Sequence, residues 1–72
     1  MNREEFIAKM QDALQSEEEL TFDTVLDDIE EWDSISKMAV VAFFDASLGK
    51  KITFAELKEL KTIGDIANKA GL

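Results

Sequence analysis

Residues 31–48 read Glu31-Trp32-Asp33-Ser34-Ile35-Ser36-Lys37-Met38-Ala39-Val40-Val41-Ala42-Phe43-Phe44-Asp45-Ala46-Ser47-Leu48, and this stretch decides the fold. Asp and Ser are the residue types that cap a helix, because their short oxygens accept the unpaired N–H groups of its first turn. Behind Asp33-Ser34, the segment from Ile35 to Leu48 carries Met38, Val40, Val41, Phe43 and Phe44, a helix apolar around much of its circumference. Such a helix lies centrally in a core or docks a partner. Gly49 follows, a residue suited to the left-handed position that ends a helix.

Upstream, Phe6, Ile7, Met10, Ala13 and Leu14 recur at helical spacing, with Arg3, Glu4, Lys9 and Asp12 on the other side. This predicts an amphipathic helix over about residues 3–15, with Asn2 as its cap and Glu5 placed to reach back to the cap N–H. Between Ser16 and Asp33 the period is lost. Nine carboxylates gather there without one Lys or Arg, while Leu20, Phe22, Val25, Leu26, Ile29 and Trp32 supply apolar anchors. The reading is a long ordered loop with room for a short helical turn. Trp32 is expected to be a half-buried aromatic that covers this loop.

Downstream, Thr53 and Glu56 repeat the capping spacing and predict a brief third helix through Leu57, with a strand at 51–54 as the weaker alternative. Thr62 begins a last helix with Ile63, Ile66, Ala67 and Ala70 inward. Asp65 lies in its first turn, where a negative charge suits the macrodipole, and Gly71 closes it. The predicted class is all-α: a small four-helix bundle of three longer helices and one short one, with the long loop between helices one and two. Seventy-two residues allow one core, so residues 1–72 are expected to form a single domain. A core of this size leaves about 3–5 kcal/mol of net stability, and with no Cys there is no disulfide to add to it.

Composition narrows function. The chain has no His, Cys or Tyr, which removes the common bases, nucleophiles and zinc ligands. Independent catalysis and a metal site are not expected. The acidic loop lacks the Gly and the ligand spacing of a calcium-binding EF-hand. A net charge of −8 argues against nucleic acid and favours basic protein partners. No apolar stretch approaches the roughly 20 residues of a membrane span. No basic segment followed by an apolar run opens the chain, so a soluble, cytoplasmic monomer is expected.

An acidic loop that delivers Asp33-Ser34 to a central apolar helix, followed by a short helix and a final one, resembles the acyl carrier protein family over nearly the whole chain. Asp33-Ser34-Ile35 is similar to the family's Asp-Ser-Leu attachment motif, with Ile in place of Leu, and Lys61-Thr62-Ile63-Gly64-Asp65-Ile66 is similar to the usual beginning of its last helix. The resemblance implies that Ser34 receives 4'-phosphopantetheine from coenzyme A. Asp33 then helps orient the phosphopantetheinyl transferase. The chain itself is a carrier, whose arm holds an acyl thioester while acyl-loading and acyl-processing enzymes with basic docking surfaces act on it.

The same resemblance places Met38, Val41, Phe44, Ile52, Leu57, Leu60, Ile63 and Ile66 in the interior or along an acyl pocket, where ordinary core is the competing assignment. Phe44 and Met38 are bulky, so the expected pocket is small. The family's central helix usually presents several acids to its partners. Here it offers Ser36, Lys37, Ala39, Ala42 and Ala46, with Asp45 its only acid, so docking is expected at Glu30, Glu31, Ser36, Lys37 and Ala39. Trp before Asp-Ser looks more like dedicated carriers of specialised biosynthesis than like those of general fatty acid synthesis. Two other readings remain: an unmodified acidic helical adaptor, and a degenerate carrier kept for regulation.

Overall fold

The computed structural model describes all 72 residues. Four helices form: α1 Arg3–Leu14, α2 Ser34–Phe43, α3 Phe54–Glu59 and α4 Ile63–Lys69. There are no strands, so the expected four-helix architecture is present, with α3 the short member. The weaker strand reading at 51–54 fails because Lys51 to Thr53 pair with no neighbour and Phe54 already starts a helix.

Each α-helix begins on a cap three residues long. Asn2 Oδ1 accepts the Glu5 N–H at 2.8 Å and the Glu5 carboxylate accepts the Asn2 N–H at 3.4 Å, a complete capping box. Thr62 and Asp65 make the second one, at 3.1 Å in both directions. At Thr53 only half of it forms. Thr53 Oγ1 accepts the Glu56 N–H at 3.1 Å, while the Glu56 carboxylate accepts the Thr53 hydroxyl and pairs with Lys69 at 3.8 Å. Helix α1 ends one residue earlier than expected, with Gln15 in the left-handed conformation (φ 53°).

Helix α2 does not stop at Phe43. It widens into a π-helical turn over Phe44–Leu48, and Gly49 (φ 61°) ends it, as its lack of a Cβ permits. Phe6, Met10 and Leu14 of α1 meet Val40 and Phe44 in a core completed by Leu57, Ile63, Ile66 and Ala67.

The loop between α1 and α2 is ordered, with a single 3₁₀ turn at Leu26–Asp28. Leu20, Leu26 and Ile29 are buried, and the Phe22 ring stacks on Phe6 with centroids 6.4 Å apart. Three backbone hydrogen bonds tie it to the start of α4: Leu26 N–H to Lys61 O at 2.7 Å, Ile63 N–H to Thr24 O at 3.0 Å, and Gly64 N–H to Phe22 O at 2.9 Å. A Cβ on Gly64 would stand 3.0 Å from the Phe22 carbonyl oxygen, tighter than ordinary contact, so glycine suits the close approach. Val25 is an exception among the expected anchors: it is 41% exposed and makes only an isolated bridge to Thr62.

Two expectations about the core are corrected. Met38 is 56% exposed, since the face of α2 that turns inward runs through Val40 and Phe44. Val41 and Leu60 are only partly buried and pack on the margin of the core. Phe44, Ile52, Leu57, Ile63 and Ile66 are buried as expected.

Candidate functional site

The geometry around Ser34 starts with the turn before it. Trp32 N–H donates to Ile29 O and Asp33 N–H to Glu31 O, both at 3.0 Å, which curls the chain into α2. Asp33 is the cap: its backbone is extended (φ −126°, ψ −172°) and its Oδ1 accepts the Ser36 N–H at 2.9 Å. That bond holds the Asp33 carboxyl below the usual carboxylate range, despite a smaller opposing effect of desolvation.

Ser34 is therefore the first helical residue and not the cap. It is exposed, and its hydroxyl bonds to no protein group. The punctuation that a Ser supplies at a helix start is supplied here by its neighbour, which leaves the Ser34 oxygen free at the positive end of the α2 dipole.

Of the expected docking residues, Glu30 is exposed while Glu31, Lys37 and Ala39 are half-buried. Ser36 is not available for docking. It is 7% exposed, and its hydroxyl donates to the Glu31 carbonyl to lock the turn. Ile35, by contrast, is 80% exposed and joins Met38 in leaving apolar surface on α2 next to Ser34.

Open clefts flank α2, one at its start and one farther along it. Toward α1, a cleft of about 680 Å³ has Leu14, Ile35 and Ala39 on its apolar part and Glu17, Glu30, Glu31 and Asp33 at its polar part. Glu17, Glu18, Asp28, Glu30 and Glu31 line a further recess of about 170 Å³, yet they do not converge as a metal-ligating set. Toward α3, Met38, Val41, Ala42, Asp45 and Ile52 border a cleft of about 420 Å³. No helix is long and apolar enough to cross a membrane.

Sequence reasoning missed the surroundings of Lys37. Its ammonium lies 5.0 Å from the centroid of the Trp32 ring and 5.8 Å from that of Phe54, and Lys58 stands 5.8 Å from the same Phe54 ring. The Trp32 contact had a signal in the order Trp-Asp-Ser-x-x-Lys, but Phe54 arrives from α3. Trp32 itself is half-buried over the loop, as expected.

In comparison with known proteins, the chain matches no family model, and neither a curated protein nor a solved structure shows significant similarity to it.

Proposed function

We propose that this chain is an acyl carrier protein, a single carrier domain modified with 4'-phosphopantetheine on Ser34. One observation carries the reading. Ser34 stands exposed at the first position of α2 with an unbonded hydroxyl, because Asp33 has taken over the cap. Such an oxygen is ready to form a bond to phosphorus, and the N-terminal end of a ten-residue helix favours the resulting phosphodiester. In the transfer, the Ser34 oxygen replaces the nucleotide part of coenzyme A on phosphorus, and the hydroxyl proton passes to a base of the transferase.

The chain then acts as a carrier and not as an enzyme. The arm brings the thiol that the Cys-free chain lacks, and separate enzymes load and process the acyl group in the cytoplasm. Asp33, next to the modified oxygen, helps orient the transferase. Exposed Ile35 and Met38 give partners an apolar contact beside the arm, and the carboxylates of the loop attract their basic surfaces.

The same apolar and acidic surface would serve an unmodified adaptor, so Ser34 decides between the two. Incubation with coenzyme A and a broad-specificity phosphopantetheinyl transferase, followed by intact mass, tests the reading. Wild type is expected to gain one phosphopantetheine and Ser34→Ala none, with both helical by circular dichroism. Wild type left unmodified by several transferases, or an alanine variant still modified, overturns it.

A further inference from the structure

Lys37 is the only Lys or Arg between Lys9 and Lys50, and nine carboxylates precede it in the segment from Ser16 to Asp33. In a chain with twice as many acids as bases, its ammonium would be expected to sit on a carboxylate. It does not. The chain's one close ion pair joins Lys69 to Glu56, and Lys37 is held instead by the faces of Trp32 and Phe54. Cation–π contacts fix a cation's position without neutralising its charge.

Its placement on α2 gives that charge a direction. Lys37 follows Ser34 by three residues, so the two share a helix face, and helical side chains lean back over the preceding turn. The lysine therefore covers the turn that Ser34 begins. A phosphodiester there would add a negative charge beside Asp33, Glu31 and Glu30. Of the donors near it, the Ser36 N–H is committed to Asp33 and the Lys37 N–H to the Asp33 carbonyl, so the helix start offers the Ser34 and Ile35 N–H groups and leaves room for a side-chain cation.

Resting on the reading of Ser34 as the attachment point, we infer that Lys37 is the phosphate-binding residue of the modified protein. Trp32 and Phe54 clamp its ammonium where it pairs with the phosphodiester and limits the directions in which the arm leaves the surface. Trp32 precedes Asp33-Ser34 because it forms one jaw of that clamp, and α3 contributes the other through Phe54.

The test uses the modified and unmodified full chain in phosphorus and carbon NMR, with intact mass as a control on modification. In wild type, the Lys37 Cε and Hε resonances should shift on modification while those of Lys51 and Lys58 stay in place. In modified Lys37→Met, which keeps the apolar stem against the rings, the phosphorus resonance should move away from its wild-type position. Lys37→Arg should restore it, and Trp32→Leu should displace it part of the way. Modified wild type with an unmoved Lys37 signal, or Lys37→Met with a wild-type phosphorus resonance, overturns the contact and leaves the attachment site intact. A wild type that never gains the arm overturns both, because no phosphodiester then exists to be bound.

Discussion

The Asp33 carboxylate accepts the backbone N–H of Ser36 at 2.9 Å, while the Ser36 hydroxyl donates to the Glu31 carbonyl. Two residues on either side of Ser34–Ile35 thus fasten the helix start to the loop and leave Ser34 itself free. Asp33→Ala should lower the urea midpoint of unfolding, because it leaves the Ser36 N–H without its acceptor. Asp33→Asn keeps an acceptor and should restore most of the midpoint. If Asp33 also orients the transferase by its charge, Asp33→Asn will still be modified more slowly than wild type. Equal kcat/KM for the two proteins would confine Asp33 to its role as a cap.

The pH dependence has a definite sign. Asp33 and Asp65 are both held below the ordinary aspartate value, Asp33 first by the Ser36 N–H and Asp65 first by the Lys61 N–H and then that of Thr62. In the unfolded chain both return to the ordinary value, so as pH falls through that range the unfolded state binds protons first. Their contribution to stability is present above the ordinary aspartate value and is lost as pH falls toward their lowered folded values. Urea midpoints across an acid series should fall less steeply for Asp65→Asn and Asp33→Asn than for wild type. Parallel curves would show that neither carboxylate is linked to folding.

Core substitutions should separate two residues that the sequence made look alike. Phe44 is 1% exposed and Met38 56%. Phe44→Ala should cost about 3–5 kcal/mol, comparable to the about 3–5 kcal/mol expected for the whole of so small a domain, and cooperative thermal unfolding should disappear. Met38→Ala should stay within about 0.5 kcal/mol of wild type, as surface substitutions do. A large loss at Met38 would mean that its face of α2 is covered in solution.

The difference between those two residues shows where the sequence was legible. Helix starts were readable because a cap is a local device: Asn2 with Glu5, Asp33 with Ser36 and Thr62 with Asp65 each close over three residues. The inward face of α2 was not, because a helix apolar on most sides has no period to reveal which side is buried. Packing chose Val40 and Phe44 and left Ile35 and Met38 outside. Ser36 was misassigned to docking because its partner, the Glu31 carbonyl, becomes an acceptor only once the turn before α2 exists. The rings around Lys37 were half hidden for a similar reason, since Phe54 comes from another helix.

Cargo protection should be slight. Phe44 fills the interior beneath α2, and Met38, Val41 and Ile52 border an open cleft, not an enclosed chamber. A long acyl chain loaded on the arm would remain largely in water. Thioester hydrolysis should proceed at similar rates for a short and a long acyl group. Strong protection of the long one would require α2 and α3 to separate and admit it.

Docking should depend on the loop more than on the central helix. Glu30 and Glu31 share a recess with Glu17, Glu18 and Asp28 next to the helix start, whereas Asp45 borders the cleft on the α3 side together with Lys51. A partner approaching Ser34 would thus meet a block of like charge on the loop side and a single carboxylate, with a lysine on the same cleft, farther along α2. Exposed charge pairs are each worth about 0–1 kcal/mol, so single changes should act modestly and mainly on association rate. Reversing Glu30 and Glu31 together to Lys should lower transferase kcat/KM well below the value for Asp45→Lys. Lys37 should add discrimination in the unmodified protein, because it would oppose a partner built for a uniformly acidic helix. Added salt should narrow the gap between the variants, since the screening length falls from about 10 Å at 0.1 M to about 3 Å at 1 M. Transferase kcat/KM for the three proteins across a salt series decides the matter: a larger effect at Asp45 than at Glu30 and Glu31 would place the docking surface on the helix and not on the loop.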